Sequence, residues 1–194
     1  MKFDKNEIIK MVKIAVCLLL ITAISTALVA VVNEVTKGPI AEQRLAKVNE
    51  AMTKVLPAKD YEKLDIADKN LEEIVLEVYA AKDETGNVVG YCVKTAPPGY
   101  GGAIEMITGV DMNGVVTGVD IVNMSETAGL GTKTDDEEWL KQYVGKGTDV
   151  AVTTSITPAE NEVSAVSGAT ISSKAVTRGV ATAITAANQI KGAA

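Results

Sequence analysis

Histidine is absent from the 194-residue chain. With it go the Ser-His-Asp and Cys-His catalytic arrangements, histidine-ligated haem and histidine-containing zinc sites. Cysteine is scarce: Cys17 falls in an apolar run and Cys92 in the body of the chain. The two therefore form no internal disulfide, and the fold is stabilised by packing or its compartment is reducing. No CxxC pair, EF-hand loop, internal repeat or low-complexity tract stands out. If the chain does redox chemistry, these absences point to an organic cofactor, and neither a metal ligand nor a catalytic residue is assigned.

What is present begins with an uncharged run, IAVCLLLITAISTALVAVV, over residues 14–32. At about 1.5 Å per residue a helix of this run reaches roughly 28 Å, close to the hydrocarbon thickness of a bilayer. A cleaved signal peptide fits less well, because the run is long for one and the best small-residue exit, Ala27 to Ala30, has Leu28 at the −3 position. Lys2, Lys5, Lys10 and Lys13 crowd the N-terminal flank, whereas Lys37, Arg44 and Lys47 are spread more thinly beyond. That asymmetry predicts a cytoplasmic tail over 1–13, a transmembrane helix over 14–33 and an extracytoplasmic domain over 34–194 in the cell membrane. Asp4 and Glu7 reduce the tail to +2, so the net −6 of the whole chain leaves −8 beyond it. An acidic domain of this kind is a poor nucleic-acid binder.

Beyond the span, Leu45, Val48, Met52 and Val55 recur at helical spacing within residues 39–57 and Pro57 acts as a stop, which predicts a helix leading away from the membrane. Apolar and β-branched runs over 71–82 and 88–94 flank DETGN, and runs over 103–110 and 115–123 flank DMNG. These are hairpin patterns, and four antiparallel strands are the expected core. A short helix is predicted over 135–145 and a strand over 147–155. From Ile171 to Ile190, Val176, Val180, Ile184 and Ala187 mark one helix face, with Lys174 and Arg178 on the other side. The fold class is α+β, one N-terminal transmembrane helix followed by an antiparallel-sheet domain with flanking helices.

Three small-residue segments could hold a ligand. TAPPGYGGA (95–103) and SETAGLGTK (125–133) are glycine-rich loops, and VSAVSGATISSKA (163–175) leads into the long helix. Small side chains at Ser167, Gly168, Ala169 and Thr170 permit close approach of a bulky group. The free N–H groups at the helix start favour an anion, to which Ser172, Ser173 and Lys174 add donors and a positive charge. Ordinary N-capping explains the same serines and threonine. What tips the reading toward a ligand is the combination, since a planar aromatic cofactor needs close backbone approach as well as a phosphate site.

In order along the chain, the apolar span, GYGG at 99–102, SETAGLG at 125–131 and SGATISS at 167–173 resemble the FMN-binding domain shared by the G subunit of Rnf complexes and the C subunit of sodium-pumping NADH:quinone reductases. The chain's length favours the Rnf member of that pair. The resemblance implies an FMN attached by a phosphoester to Thr170, placed there by a flavin transferase. It also implies an electron relay among membrane subunits that couple ferredoxin and NAD to ion pumping, as a redox subunit of a translocase rather than an enzyme alone. Backbone groups of 99–102 and 126–131 are expected near the flavin ring, which brings in Gly101, Gly102, Gly129, Leu130 and Gly131. The chain departs from the family pattern at Ser164, where an acidic residue is usual in a neighbourhood the transferase reads, at Met124, where a histidine is frequent, and at Ala128, where a proline is usual.

Tyr100 is either a stacking partner of the ring or a loop anchor, and Glu126 and Thr127 either touch the flavin or cap their turn. Trp139 and Tyr143, four apart, read as core packing. The run Asp135, Asp136, Glu137, Glu138 reads as a solvated helix start. Ala23 and Ala27, with Thr22 and Thr26 alongside, form a small-residue surface suited to another membrane helix. Two other functions fit the same residues: a stand-alone membrane-tethered flavin module serving an extracytoplasmic reductase, and a non-redox interaction domain without flavin.

Overall fold

The computed structural model describes residues 5–192 except positions 68 and 156. Lys2 and Asp4, part of the orientation argument, lie outside the described residues. The element order is α1 (Lys5–Val55), β1 (Asp60–Lys63), β2 (Val75–Lys82), β3 (Val88–Thr95), β4 (Glu105–Asp111), β5 (Val116–Asn123), α2 (Glu137–Leu140), β6 (Ala151–Thr153), β7 (Glu162–Ser164) and α3 (Thr170–Gly192).

Two compact units divide the chain, Met1–Leu45 and Ala46–Ala194. In the first, α1 is long and apolar enough to cross a membrane, and its most apolar stretch is fully exposed. Thr22 turns its hydroxyl back on the Leu18 and Leu19 carbonyls, which removes a polar group from an apolar surface. No second helix begins at 39: Pro39 lies inside α1. Proline's fixed φ is itself helical, so the chain loses one N–H bond and some steric freedom there without having to break.

In the second unit five strands form one antiparallel sheet in sequence order, β1-β2-β3-β4-β5. Both predicted hairpins are present. Asp83 and Asp111 build their turns by accepting from the N–H groups of Asn87 and Thr85, and of Asn113 and Val115. Alternation along the strands sends Tyr91, Val93, Met106 and Val110 to one face, where they pack with Val176, Val180, Ala183, Ile184 and Ala187 of α3. Ala81, Cys92 and Ile107 point the other way, onto Val48, Ala51, Met52 and Val55 at the end of α1. Coverage on both faces explains why β4 is buried along its whole middle. Burial pushes the Cys92 thiol up to about 12, so it behaves as a small apolar side chain.

Glycine sets how closely the helix end sits on the sheet. A Cβ on Gly109 would lie 2.7 Å from the Val55 carbonyl oxygen, and one on Gly118 would lie 2.9 Å from the Val55 Cα. The Thr117 hydroxyl donates to that same carbonyl at 2.6 Å, satisfying one of the orphan acceptors of a helix C-terminus.

Three further elements differ from the sequence expectation. Strand β1 appears although DYEK has no apolar alternation; it is an edge strand held by its ladder to β2 and by the pairs Lys63–Glu77 and Lys82–Glu62. The helix expected over 135–145 contracts to α2 and a 3-10 turn at Lys141–Tyr143, and Asp135 instead ends a separate 3-10 turn at Gly131–Asp135. Asp136 stops and restarts the chain: its backbone is extended and its carboxylate accepts from the Trp139 N–H at 3.1 Å as the cap of α2. The strand over 147–155 contracts to β6, which pairs in parallel with β7 outside the main sheet.

Candidate functional site

The site forms where three loops meet at the start of α3. The first leaves β3 through Pro97 and Pro98 and closes on itself through a Pro98–Ala103 bridge and a 2.7 Å bond from the Gly99 N–H to the Gly102 carbonyl. The second follows β5 and turns at Gly129, whose φ of +76° only glycine adopts without strain. The third descends from β7 and turns at Gly168, φ +77°, into Thr170.

Glu126 ties these loops together. Its Oε1 accepts from the N–H groups of Tyr100 at 2.9 Å and Gly101 at 3.0 Å, and its Oε2 accepts from the Ser172 hydroxyl at 2.7 Å. The side chain is 9% exposed, so these bonds replace the water it gives up. The neighbouring glycines exist for this packing. A Cβ on Gly99 would collide with Glu126 Oε1, one on Gly131 would lie 2.6 Å from Oε2, and one on Gly101 would collide with the Ser125 carbonyl oxygen.

Between the loops lies an open cavity of about 590 Å³, lined by Tyr100, Glu126, Thr127, Leu130, Gly131, Gly168, Ala169, Thr170, Ile171 and Ser172. Its size is that of a small-molecule cofactor site. Tyr100, Leu130 and Ile171 stand at its rim 71%, 46% and 55% exposed, an apolar fringe that a planar ligand would cover. All three expected segments thus contribute. Gly101, Gly102 and Gly129 support the loops without lining the cavity, and Ser167 and Lys174 are exposed beside it. Ile171 was missed by the sequence reading; an apolar residue on the outward side of the first turn of α3 was the available signal.

The two serines expected to bind phosphate are engaged elsewhere. Ser172 bonds Glu126, and buried Ser173 accepts from the Val166 N–H at 3.0 Å while donating to the Ala169 carbonyl at 3.0 Å. Ser173 therefore locks the turn from below. Thr177 and Tyr143 continue this support: the Thr177 hydroxyl donates to the Ser173 carbonyl at 2.9 Å and lies 2.8 Å from the Tyr143 hydroxyl. Burial pushes the ionisation of Tyr143 up, which keeps the phenol neutral.

The Thr170 hydroxyl differs from both. Thr170 is half-buried at the first residue of α3 and lines the cavity. Among the described residues its hydroxyl makes no hydrogen bond. The first bond into the helix is from the Ser173 N–H to the Ala169 carbonyl, so the N–H groups of Thr170, Ile171 and Ser172 have no intrahelical acceptor. A free hydroxyl beside three free N–H groups suits a phosphate, or a phosphate ester of that hydroxyl. Among the described residues no cluster of acidic or cysteine side chains could hold a metal ion.

Comparison with known proteins identifies the family. Residues 99–185 match the model of the FMN-binding domain and residues 1–55 that of the RnfG N-terminal region. The chain is 39% identical over 183 residues to the G subunit of the Na(+)-translocating ferredoxin:NAD(+) oxidoreductase complex of Acetobacterium woodii, covering 87% of each chain. It is 35% identical over 178 residues to the G subunit of the ion-translocating oxidoreductase complex of Methanosarcina acetivorans, covering 89% of this chain and 90% of the relative. Among solved structures, the C subunit of the Na(+)-translocating NADH-quinone reductase of Parabacteroides distasonis has a TM-score of 0.54 at 20% identity, over 69% of this chain and 78% of that one. NqrC of Shewanella oneidensis has a TM-score of 0.51 at 21% identity, over 61% of each; both likenesses concern the fold. An apolar N-terminal helix, an FMN-binding domain and coextensive relatives together place this chain in the family of the G subunits of ion-translocating oxidoreductase complexes, RnfG.

Proposed function

We propose that this protein carries FMN as a phosphoester on Thr170 and relays electrons inside an Rnf complex in the membrane. The observation that carries the reading is the Thr170 hydroxyl: it lines the cavity, has no hydrogen-bond partner among the described residues and stands at the head of α3. FMN would supply one- and two-electron chemistry that the side chains lack. The chain's own part is to fix the hydroxyl through the Ser173 and Gly168 turn and to offer an apolar rim at Tyr100, Leu130 and Ile171. It also offers the first-turn N–H groups to the phosphate. Esterification replaces the Thr170 hydroxyl proton by the flavin phosphoryl group, so a flavin transferase has to bring FMN in an activated anhydride form whose other half leaves.

The remaining parts of the reading follow from the anchor. Residues 14–33 span the bilayer, the basic N-terminal tail stays in the cytoplasm and the domain lies outside. The partners in this reading are the other membrane subunits of such a complex; the names of the relatives make those proteins subunits of one. A covalent link has a clear use outside the cytoplasm, since it makes retention of the cofactor independent of binding affinity.

The test is acid denaturation of the protein purified from a host with a flavin transferase, followed by washing and a search for flavin fluorescence on the polypeptide. Fluorescence is expected on the wild type and not on Thr170→Val, which keeps the side-chain shape and removes the hydroxyl. A colourless wild-type chain, or a variant that retains flavin, overturns the reading.

A further inference from the structure

We propose that Glu126 is the positioning residue that assembles the flavin pocket, acting through its hydrogen bonds to both walls rather than through its charge or by contact with substrate. The inference rests on the flavin reading above and adds to it how the pocket is held together.

Glu126 is the one side chain, among the described residues, that bonds both walls. Its Oε1 holds the Tyr100 and Gly101 N–H groups and its Oε2 holds the Ser172 hydroxyl. Tyr100 and Ser172 are 72 residues apart, and no hydrogen bond or ion pair joins residues 99–102 directly to α3 among the described residues. The loop's own bond, Gly99 to Gly102, closes it locally but does not orient it toward the helix. Removing the carboxylate leaves two N–H groups and a hydroxyl without their protein partner beside the open cavity, from which water then enters. The glycines reinforce the assignment. At Gly99 and Gly131 a Cβ would come within 2.6 Å of the carboxylate oxygens, so a side chain at either position would displace Glu126 from its bonds.

A glutamine can make the same contacts: its carbonyl oxygen accepts from Tyr100 and Gly101, and its amide donates to the Ser172 oxygen, which becomes the acceptor. That distinguishes a positioning role from a charge effect. A Tyr100 loop freed from α3 would leave the attached flavin exposed to water although the ester itself is intact.

The full-length protein is produced with a flavin transferase as wild type, Glu126→Ala, Glu126→Gln and Ser172→Ala. Covalent flavin per chain, native-state flavin fluorescence, midpoint potential and thermal midpoint are measured on each. Glu126→Ala is expected to keep covalent flavin, to gain roughly threefold or more in native fluorescence and to move its potential toward that of free FMN. Glu126→Gln should match the wild type in both, and Ser172→Ala, which frees one wall only, should fall between. Wild-type fluorescence and potential in Glu126→Ala overturn the proposal, and so does a Glu126→Gln indistinguishable from Glu126→Ala.

A second measurement needs no flavin. In a Thr170→Val background, amide hydrogen exchange at Tyr100 and Gly101 should accelerate about tenfold or more in Glu126→Ala and stay unchanged in Glu126→Gln. Unchanged exchange in Glu126→Ala overturns the proposal. A wild type without covalent flavin overturns the function reading alone, and the exchange result still decides the role of Glu126.

Discussion

The indole Nε1 of Trp139 donates a 2.7 Å hydrogen bond to the backbone carbonyl of Ser164. From the same short helical region the Gln142 Oε1 accepts from the Ser164 N–H at 3.1 Å. Both backbone groups of residue 164 are therefore fixed, six residues before Thr170, and the serine hydroxyl is turned to the Ser155 carbonyl at 2.9 Å. Trp139 also packs edge-on against buried Tyr143, ring centroids 5.4 Å apart. The aromatic pair belongs to the core, as its spacing implies, and in addition holds the strand that leads to the site.

Trp139→Phe keeps the ring packing and leaves the Ser164 carbonyl without its donor. A loss of about 1–2 kcal/mol in urea unfolding is expected, the cost of one part-buried acceptor left unmade. Stability equal to the wild type would show that water replaces the indole.

Gly101→Ala and Gly102→Ala should behave differently although they are neighbours. The added methyl collides with the Ser125 carbonyl oxygen in the first case and meets only the Ser125 Cβ, at 3.6 Å, in the second. Loss of flavin quenching together with a fall of a few degrees in thermal midpoint is expected for Gly101→Ala, on the scale of about 1–3 kcal/mol of overpacking, and little change for Gly102→Ala.

Gly109→Ala tests the seat of α1 on the sheet. Its Cβ would meet the Val55 carbonyl oxygen at 2.7 Å and collide with the Thr117 hydroxyl. Destabilisation by about 2–4 kcal/mol is expected, read as a lower denaturant midpoint, because the clash is with backbone and breaks the Thr117 bond as well.

Thr108→Val should be neutral or stabilising by about 1 kcal/mol, since removing an unsatisfied buried hydroxyl carries no hydrogen-bond loss. Thr95 and Thr108 are fully buried with hydroxyls that have no partner among the described residues. A large loss of stability in chemical denaturation would mean that an ordered water satisfies them.

Asp111 gives a pH dependence. Burial alone would push its carboxyl up, but N–H donation from Val115, Asn113 and Gly114 holds it below the ordinary value. A folded-state value below the unfolded value of about 3.9 gives stability that is present above that pH and lost as pH falls through the folded value. The difference in thermal midpoint between wild type and Asp111→Asn should be constant from about pH 7 to 5 and shrink below about pH 4. A difference that persists undiminished at low pH would assign it to turn geometry instead of charge.

Much of this molecule is local and was legible for that reason. The uncharged run of α1, the two hairpins around DETGN and DMNG, and the 3.6-residue stripe of α3 each follow from neighbours in sequence, where periodicity and turn chemistry act. Strand β1 was not legible, because an edge strand made of DYEK owes its conformation to the partner it pairs with. The composition of 135–145 permits one helix, whereas Asp136 caps a shorter α2 and the chain passes into a 3-10 turn at Lys141–Tyr143.

The candidate site shows the same division at smaller scale. The sequence by itself determined which segments carry small residues and that Thr170 heads a helix. It left open what Glu126 does, because SETAGLG reads as a ligand loop or as a capped turn. Only the tertiary structure decided that its carboxylate reaches Tyr100, Gly101 and Ser172. It also decided that Ser173 faces inward to hold the turn while the Thr170 hydroxyl meets no partner among the described residues. Hydroxyls and carboxylates accept several kinds of partner, and which one each meets is set by the packing of α3 on the sheet.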